Sequence, residues 1–464
     1  MTTLADPVPG GRPGDHDRAT ERASEMAAHG VAGVVLSWAD TAGVNRVKTV
    51  TVTALERAVA WGVGMSPVFD TFLADDSIVA TDVLGGPDGD LRLYPDLDGL
   101  VRLVGQPGWA WAPVDRITQD GAVHPACTRS LLRHLVSAAE AEGLTFRASI
   151  EIEFALALPG GPDFEPACVG PAYGMTRLVE QGEFGAELLR ALAEEAVEVD
   201  QFHPEYAAGQ YEVSVGALDP VAAADRSVLV RQTIRAVAQR HGLRASFAPS
   251  VVAGGVGNGG HLHLSAWRDG RNLHAGGDGR LGMTAEGEGF LAGIVEQLPP
   301  LAALLLPSPS SYLRMQPSHW AGVFAAWGHE NRETAVRAVT GSVGQRDRAA
   351  NLEVKSVDLA ANPYLASAGV LAAGLDGLRR GLRPGPPVSG DPVRLDPTQL
   401  AERGIRRLPE SLPDAVAAFE KSALLRETLG AVLADAVVAV RRGEQARVEH
   451  LTPEAVAEAY RWVY

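Results

Sequence analysis

At 464 residues the chain is long enough to bury a large core and to divide into two or three domains. Hydrophobic residues at 46% and charged residues at 21% exclude general disorder. A formal net charge of -16 argues against sequence-independent nucleic-acid binding, which needs clustered Lys and Arg, and suits metal ions and cationic substrates instead. No apolar stretch approaches the ~18 residues that cross a bilayer, so no membrane partner is expected and the cytoplasm is the expected compartment. Cys127 and Cys168 form no C-x-x-C pair or other zinc spacing, so neither a disulfide framework nor a thiolate metal site is expected.

Residues 1–20 open with MTTLADPVPGGRPGDHD, which lacks an apolar core and reads as a flexible tail, not a signal or anchor. Residues 21–118 mix short apolar runs (VAGVVLSW, SIVATDVL, LRLYPDL) with Gly, Asp and Pro turns, the pattern of a small sheet-rich module. A polar, turn-rich stretch near Asp115 to Pro125 marks the boundary, leaving 119–464 as a larger unit that alternates strands and helices. Thr145 to Leu158 reads as one strand whose period of two points Glu151 and Glu153 to the same face. A helix is expected from about Glu187 to Val199. The run EYAAGQYEVSVG is the next strand candidate and carries Glu205 and Glu212. Asp219-Pro220 opens a helix that His241-Gly242 closes. Further strands are expected at Ser246 to Val252, His261 to Trp267, AVRAV and NLEVKSVD. Asn362-Pro363 starts another helix, and the loop RPGPPVSGDP precedes a helical C-terminal region.

Glu151-Ile152-Glu153 alone is an ordinary solvent-face pattern, but its apolar flanks imply a buried sheet, where carboxylates must be paired, protonated or bound to cations. His261-Leu262-His263 repeats the geometry after the glycine-rich loop AGGVGNGG, which lets backbone approach a phosphate or metal without matching the P-loop signature. Several glutamates and a histidine suit Mg²⁺ or Mn²⁺ better than structural zinc. Arg332 and Arg337 in GHENRETAVRAV could serve a transferring phosphoryl group or be plain surface arginines.

Taken in order, IEIEF, HPEYAAGQYEV, NGGHLHLS, WGHENRETAVR and NLEVKSVDLAANPYL resemble the successive motifs of the glutamine synthetase superfamily, from about Ala32 to the C-terminus. The resemblance implies an α+β fold with a β-grasp-like N-terminal domain and a larger catalytic domain built on a curved antiparallel sheet. It also implies a ring-shaped homo-oligomer, commonly a dodecamer, with active sites between subunits. Glu153, Glu205 and Glu212 match the ligands of a first metal, and Glu151, His261 and Glu353 those of a second. Arg332 and Arg337 match phosphate-contacting arginines; Arg314, Gly257 and Gly259 match glutamate-binding positions; His263 and Ser265 match positions near the nucleotide. The implied partners are ATP, two Mg²⁺ or Mn²⁺ ions, glutamate, and ammonia or a small amine, with γ-glutamyl phosphate as the activated acyl donor.

Departures from the family pattern bear on the nitrogen nucleophile. Trp320 stands where ammonia-using members carry a flap glutamate; indole cannot act as that carboxylate but can face an organic cation. Asp70, in SPVFDTF, matches an aspartate that assists ammonium deprotonation, acting across the subunit interface. Lys355 replaces an arginine, keeping charge but losing the guanidinium fork, in a chain whose only other lysines are Lys48 and Lys421. Asn351 replaces another arginine, and Ser250 a frequent lysine. The region of RPGPPVSGDPVRLDPTQLAERGI holds no tyrosine, so control by adenylylation is not expected. The spacing is similar to the branch that includes nodulin- and FluG-like proteins and γ-glutamyl-amine ligases. The expected activity is thus ligation of glutamate to ethanolamine or another small primary amine ahead of long polyamines. Glutamine synthesis from ammonia and a non-catalytic ring scaffold are the alternatives.

Overall fold

The computed structural model describes residues 15–161 and 163–464. Asp15–Ala28 is a helix with Asp15 and Asp17 in its first turn, where carboxylates meet the positive end of the helix dipole. It buries Ala19 and Met26 against the N-terminal sheet, so residues 15–20 of the expected tail are helical. The rest of that tail lies outside the described residues.

The N-terminal sheet contains β1 (Gly33–Ala39), β2 (Asn45–Thr51), β3 (Val63–Met65), β4 (Leu91–Pro95), β5 (Val101–Arg102) and β6 (Trp109–Thr118). Its order is β2-β1-β6-β4-β3, with β5 also on β6. Alternation places Val34, Leu36, Leu93, Ala110 and Ala112 in a core separate from the main one. Buried polar contacts dock this module on the rest of the chain. The Asn362 amide donates to Ala39 O and Asp40 O, both at 3.1 Å, and Arg441 Nη1 donates to Thr41 O at 2.8 Å.

Two further sheets follow, made of β7 (Leu144–Ile150), β8 (Ile152–Ala157), β9 (Val199–Pro204), β10 (Gln210–Val215), β11 (Arg244–Ser246), β12 (Leu262–Arg268), β13 (Arg271–Asn272), β14 (Phe324–His329), β15 (Thr334–Val339), β16 (Asn351–Val354) and β17 (Arg406–Arg407). One is four-stranded, in the order β11-β8-β10-β9, and antiparallel throughout. The other is seven-stranded, β13-β12-β16-β15-β14-β17 with β7 on β12. It is antiparallel except for β14 and β15, which pair in parallel with an irregularity between Phe324 and Trp327.

The strand expected from Thr145 to Leu158 breaks at Glu151: β7 belongs to the seven-stranded sheet and β8 to the four-stranded one. Local alternation continues through the break, so it leaves no mark in the residue pattern; the Glu151 N–H still bonds, to His261 O at 3.0 Å. EYAAGQYEVSVG is not one strand either, because Glu205 lies in the turn between β9 and β10. The helix expected at Glu187 to Val199 runs Gly182–Glu194, and of Ser246 to Val252 only Ser246 is in a strand.

Helix caps match the sequence closely. Asp219 accepts from the Val221 and Ala222 N–H groups at the head of Pro220–Arg240, and Asn362 does the same for Tyr364 and Leu365 at the head of Pro363–Arg379. The latter helix packs on Ala285–Leu305 at backbone distance. A Cβ on Gly293 would lie 2.1 Å from Ala373 O, so only glycine permits that approach.

Candidate active site

Strand register builds the site as two rows of side chains. In the four-stranded sheet Glu212 on β10 lies opposite Glu153 on β8 and opposite His203 on β9. In the seven-stranded sheet Glu353 on β16 lies opposite His263 on β12 and opposite Arg337 on β15. Side chains directly opposite across strands are near neighbours, so pairing alone creates each row. Glu151, at the junction between β7 and β8, joins the two.

The second row is tightly bonded. Glu151 lies 2.9 Å from His261 Nδ1 and 3.1 Å from His263 Nε2. Glu353 lies 3.3 Å from His261 Nδ1, accepts from Arg337 Nη1 at 3.0 Å and accepts from Lys355 Nζ at 3.0 Å. The Asn351 side chain fixes His263 through its Nδ1 at 2.9 Å. Burial opposes ionisation of Glu353, but Lys355, His263 and His261 outweigh it and hold the carboxyl down at about 2. Glu151 is likewise held well below the usual carboxylate range, because the two imidazoles outweigh its desolvation.

The first row is short of positive charge. His203 lies 3.7 Å from Glu205 and 3.6 Å from Glu212, and the Tyr173 hydroxyl donates to Glu205 at 2.7 Å. Glu153 accepts the Gly259 N–H at 2.7 Å and the Gln210 amide at 3.1 Å. Burial, then Glu151 and Glu153, push the Glu212 carboxyl up to about 9. Burial raises Glu205 too. Two groups can each surround a cation, Glu151 with His263 and Glu353, and His203 with Glu205 and Glu212. Crowded carboxylates, one kept protonated by its neighbours, are the donors that a hard divalent ion satisfies, so the residues fit such ions.

The glycine loop and Arg314 close one side. Arg314 Nη2 lies 3.2 Å from His261 Nε2 and from Lys355 O, and Nη1 donates to Val357 O at 3.2 Å. A Cβ on Gly257 would sit 2.1 Å from Pro249 O, and one on Gly259 2.5 Å from His261 Nε2. The Ser265 hydroxyl, on β12, accepts from Trp267 Nε1 at 2.9 Å. Trp320 is half-exposed in a left-handed turn, its N–H donates to Glu333 at 3.1 Å, and its ring meets Tyr206 edge-on at 6.4 Å between centroids.

Two expected participants lie outside this constellation. Arg332 is exposed in the return between β14 and β15 and makes none of the hydrogen bonds described. Asp70 is buried under the N-terminal sheet, where Arg116 Nη1 donates to it at 2.5 Å and His124 Nε2 lies at 2.8 Å. Conversely, His203, Tyr173, Tyr206, Gln210 and Glu333 stand at the site although no motif of the sequence singles them out. The aromatic next to the metal-type glutamate in HPEYAAG was the available signal for Tyr206; His203 owes its place to hairpin register, which no residue pattern discloses.

This fold and donor set define an ATP-dependent carboxylate–amine ligase, and the family model for the glutamine synthetase catalytic domain matches residues 125–460. The chain belongs to the glutamine synthetase family. It is 66% identical over 463 residues to gamma-glutamylpolyamine synthetase GlnA3 of Streptomyces coelicolor, covering 99% of each chain. Against the glutamine synthetase of Pyrococcus horikoshii it is 30% identical over 402 residues, 86% of each. Among solved structures, a crystal structure of a novel glutamine synthase homolog superposes with a TM-score of 0.84 at 34% identity, covering 94% of this chain and 99% of that one.

Proposed function

We propose that this protein joins the γ-carboxylate of glutamate to a primary amine of a polyamine, with cleavage of ATP to ADP and phosphate. The observation that carries the choice of amine is the pair of half-exposed rings, Trp320 and Tyr206, set edge-on beside Glu205 with Glu333 behind them. Aromatic faces and a desolvated carboxylate attract an extended organic cation, while an ammonium ion needs no such wall. The identity to GlnA3 across both chains supports the same amine class. Polyamines therefore move ahead of ethanolamine, reversing the order expected from the residues alone.

In this reading His203, Glu153, Glu205 and Glu212 hold one Mg²⁺ or Mn²⁺, and Glu151, His261, His263 and Glu353 hold the other. When bound, such ions neutralise phosphate charge and orient glutamate. A glutamate carboxylate oxygen bonds to the γ-phosphorus as the bond to ADP breaks. The amine nitrogen passes a proton to a carboxylate beside it and attacks the acyl carbon as the acyl–phosphate bond breaks and phosphate leaves. Arg337 and Lys355 lie beside Glu353 and supply positive charge for the phosphoryl group, and Arg332, exposed in the return before β15, is a further candidate for it. Arg314, Gly257 and Gly259 shape the glutamate pocket, and Ser265 and His263 face the nucleotide. In this reading Asp70 serves the amine of a neighbouring subunit's site; Arg116 and His124 outweigh burial and hold its carboxyl below its usual range.

Phosphate release with glutamate, ATP and a panel of putrescine, spermidine, ethanolamine and ammonia tests the proposal. Polyamines should exceed ammonia in kcat/KM by roughly 100-fold, the loss of about 3 kcal/mol of aromatic and ionic contact. Ammonia supporting turnover best at low concentration would overturn it. Trp320→Glu should raise KM for putrescine about 10-fold or more while changing the glutamate KM little.

A further inference from the structure

A cavity of about 440 Å³ lies between the N-terminal sheet and the helix Pro220–Arg240, lined by Trp109, Trp111, Arg231, Arg235 and Trp462 among others, and by none of the proposed metal ligands. Its two cations are without ionic partners among the described residues. Arg231 is 5% exposed; its Nη1 donates to Leu359 O at 2.7 Å, and its Nε has no hydrogen-bond partner. The Arg235 guanidinium stacks 4.8 Å over the Phe247 ring. Burial pulls Arg231 down to about 9 and Arg235 to about 10, and no carboxylate offsets either. The indole N–H groups of Trp111 and Trp462 are buried and equally without partners.

Neighbouring guanidiniums, one buried and one partly buried, are costly unless an anion satisfies them. The rest of the lining restricts which anion fits. Three indoles and several valines beside the two guanidiniums would cover the ring of an organic acid, which a bare phosphate cannot use, while Asn45, Thr49, Gln106 and Gln232 keep one side of the lining polar. We propose that this cavity is a binding site for a small organic carboxylate with an aromatic body. Its carboxylate lies on Arg231 and Arg235, and its ring lies among the tryptophans with their N–H groups as further donors.

Calorimetric titration of the full chain, with ADP, Mg²⁺ and glutamate present to fill the active site, tests this. Indole-3-acetate is the probe, its neutral counterpart indole-3-acetamide and inorganic phosphate the comparisons. Indole-3-acetate should bind saturably, one per chain, and at least about tenfold more tightly than either comparison. Arg235→Gln should weaken it by about tenfold or more. Thr49→Glu places a negative charge on an exposed residue of the cavity lining, away from the core, and should have a similar effect without lowering Tm. Should Arg235→Gln fail to fold, Thr49→Glu alone decides. Absence of saturable heat at millimolar acid, equal affinity for acid and amide, tighter binding of phosphate, or indifference to Thr49→Glu would each overturn the proposal.

Discussion

Glu353 shows how much of the site hangs on one carboxylate. It is 2% exposed, it is the shared acceptor of Arg337 and Lys355, and it stands within reach of His261. Glu353→Gln keeps the shape but leaves the buried Lys355 without its counter-charge and Arg337 with Glu330 alone, a loss of about 3 kcal/mol when one partner of a buried ion pair is removed. Urea unfolding should register that loss, and the rise in Tm on adding Mn²⁺ should shrink with it; an unchanged metal-induced shift would rule out Glu353 as a ligand. His274 makes a different residue-scale case, because burial alone pulls its imidazole down to about 4 from 6.5. Above pH 6.5 the ring is neutral in both folded and unfolded chains. As pH falls towards 4 the unfolded chain takes up the proton first, so stability drops by about 3 kcal/mol across that window. His274→Gln retains an acceptor for the Ala266 N–H and should flatten the fall between pH 7 and pH 4, measured against the unaltered protein. Most site residues could be named from the sequence because their types occur in ordered motifs. His203 could not, since one histidine near the end of a strand carries no sign of what lies across the hairpin.

At the scale of elements, the glycine loop converts sequence into geometry. Gly259 donates its N–H to Glu153, and an added Cβ would meet His261 Nε2 at 2.5 Å and Arg314 Nη2 and Glu153 Oε1 at 3.0 Å. Gly259→Ala therefore has to push the loop off both rows at once. Activity should fall by about 100-fold or more, as a misplacement near 1 Å suffices for such a loss, while Tm without metal changes little. Retained activity would mean that the loop yields without cost. Caps and loop glycines were legible because each is a local device, an Asp, Asn or Gly answering an immediate backbone need. The division of Thr145 to Leu158 between two sheets was not legible: Ile150, Ile152 and Phe154 are all buried on either side of the break, so alternation runs through it unchanged. That division nonetheless creates the site, because it places Glu151 where one sheet hands over to the other.

At the scale of the molecule, we propose division into an N-terminal module up to about residue 118 and a catalytic unit beyond it, assembled into rings. Among the apolar side chains left exposed, two regions stand out by position. Residues 169–179 carry Val169 at 61%, Met175 at 69% and Val179 at 66% exposure, and the N-terminal module carries Trp61 at 72% and Val83 at 69%. Patches of this kind mark association surfaces, and different patches meeting head to tail close into rings when the rotation allows. Composition could not disclose them, since scattered apolar residues look the same in sequence whether a partner covers them or a core does. The first patch adjoins the site through Tyr173, whose hydroxyl holds Glu205, so assembly should order the edge of the amine pocket. Met175→Glu with Val179→Glu places two charges on that face and should convert a ring into smaller species in light scattering. Amine-dependent phosphate release should fall in step with the mass, and dilution of the unaltered protein should reproduce both changes. If the doubly substituted chain kept its mass, or if the smaller species were fully active, the patch would not be the surface that completes the site.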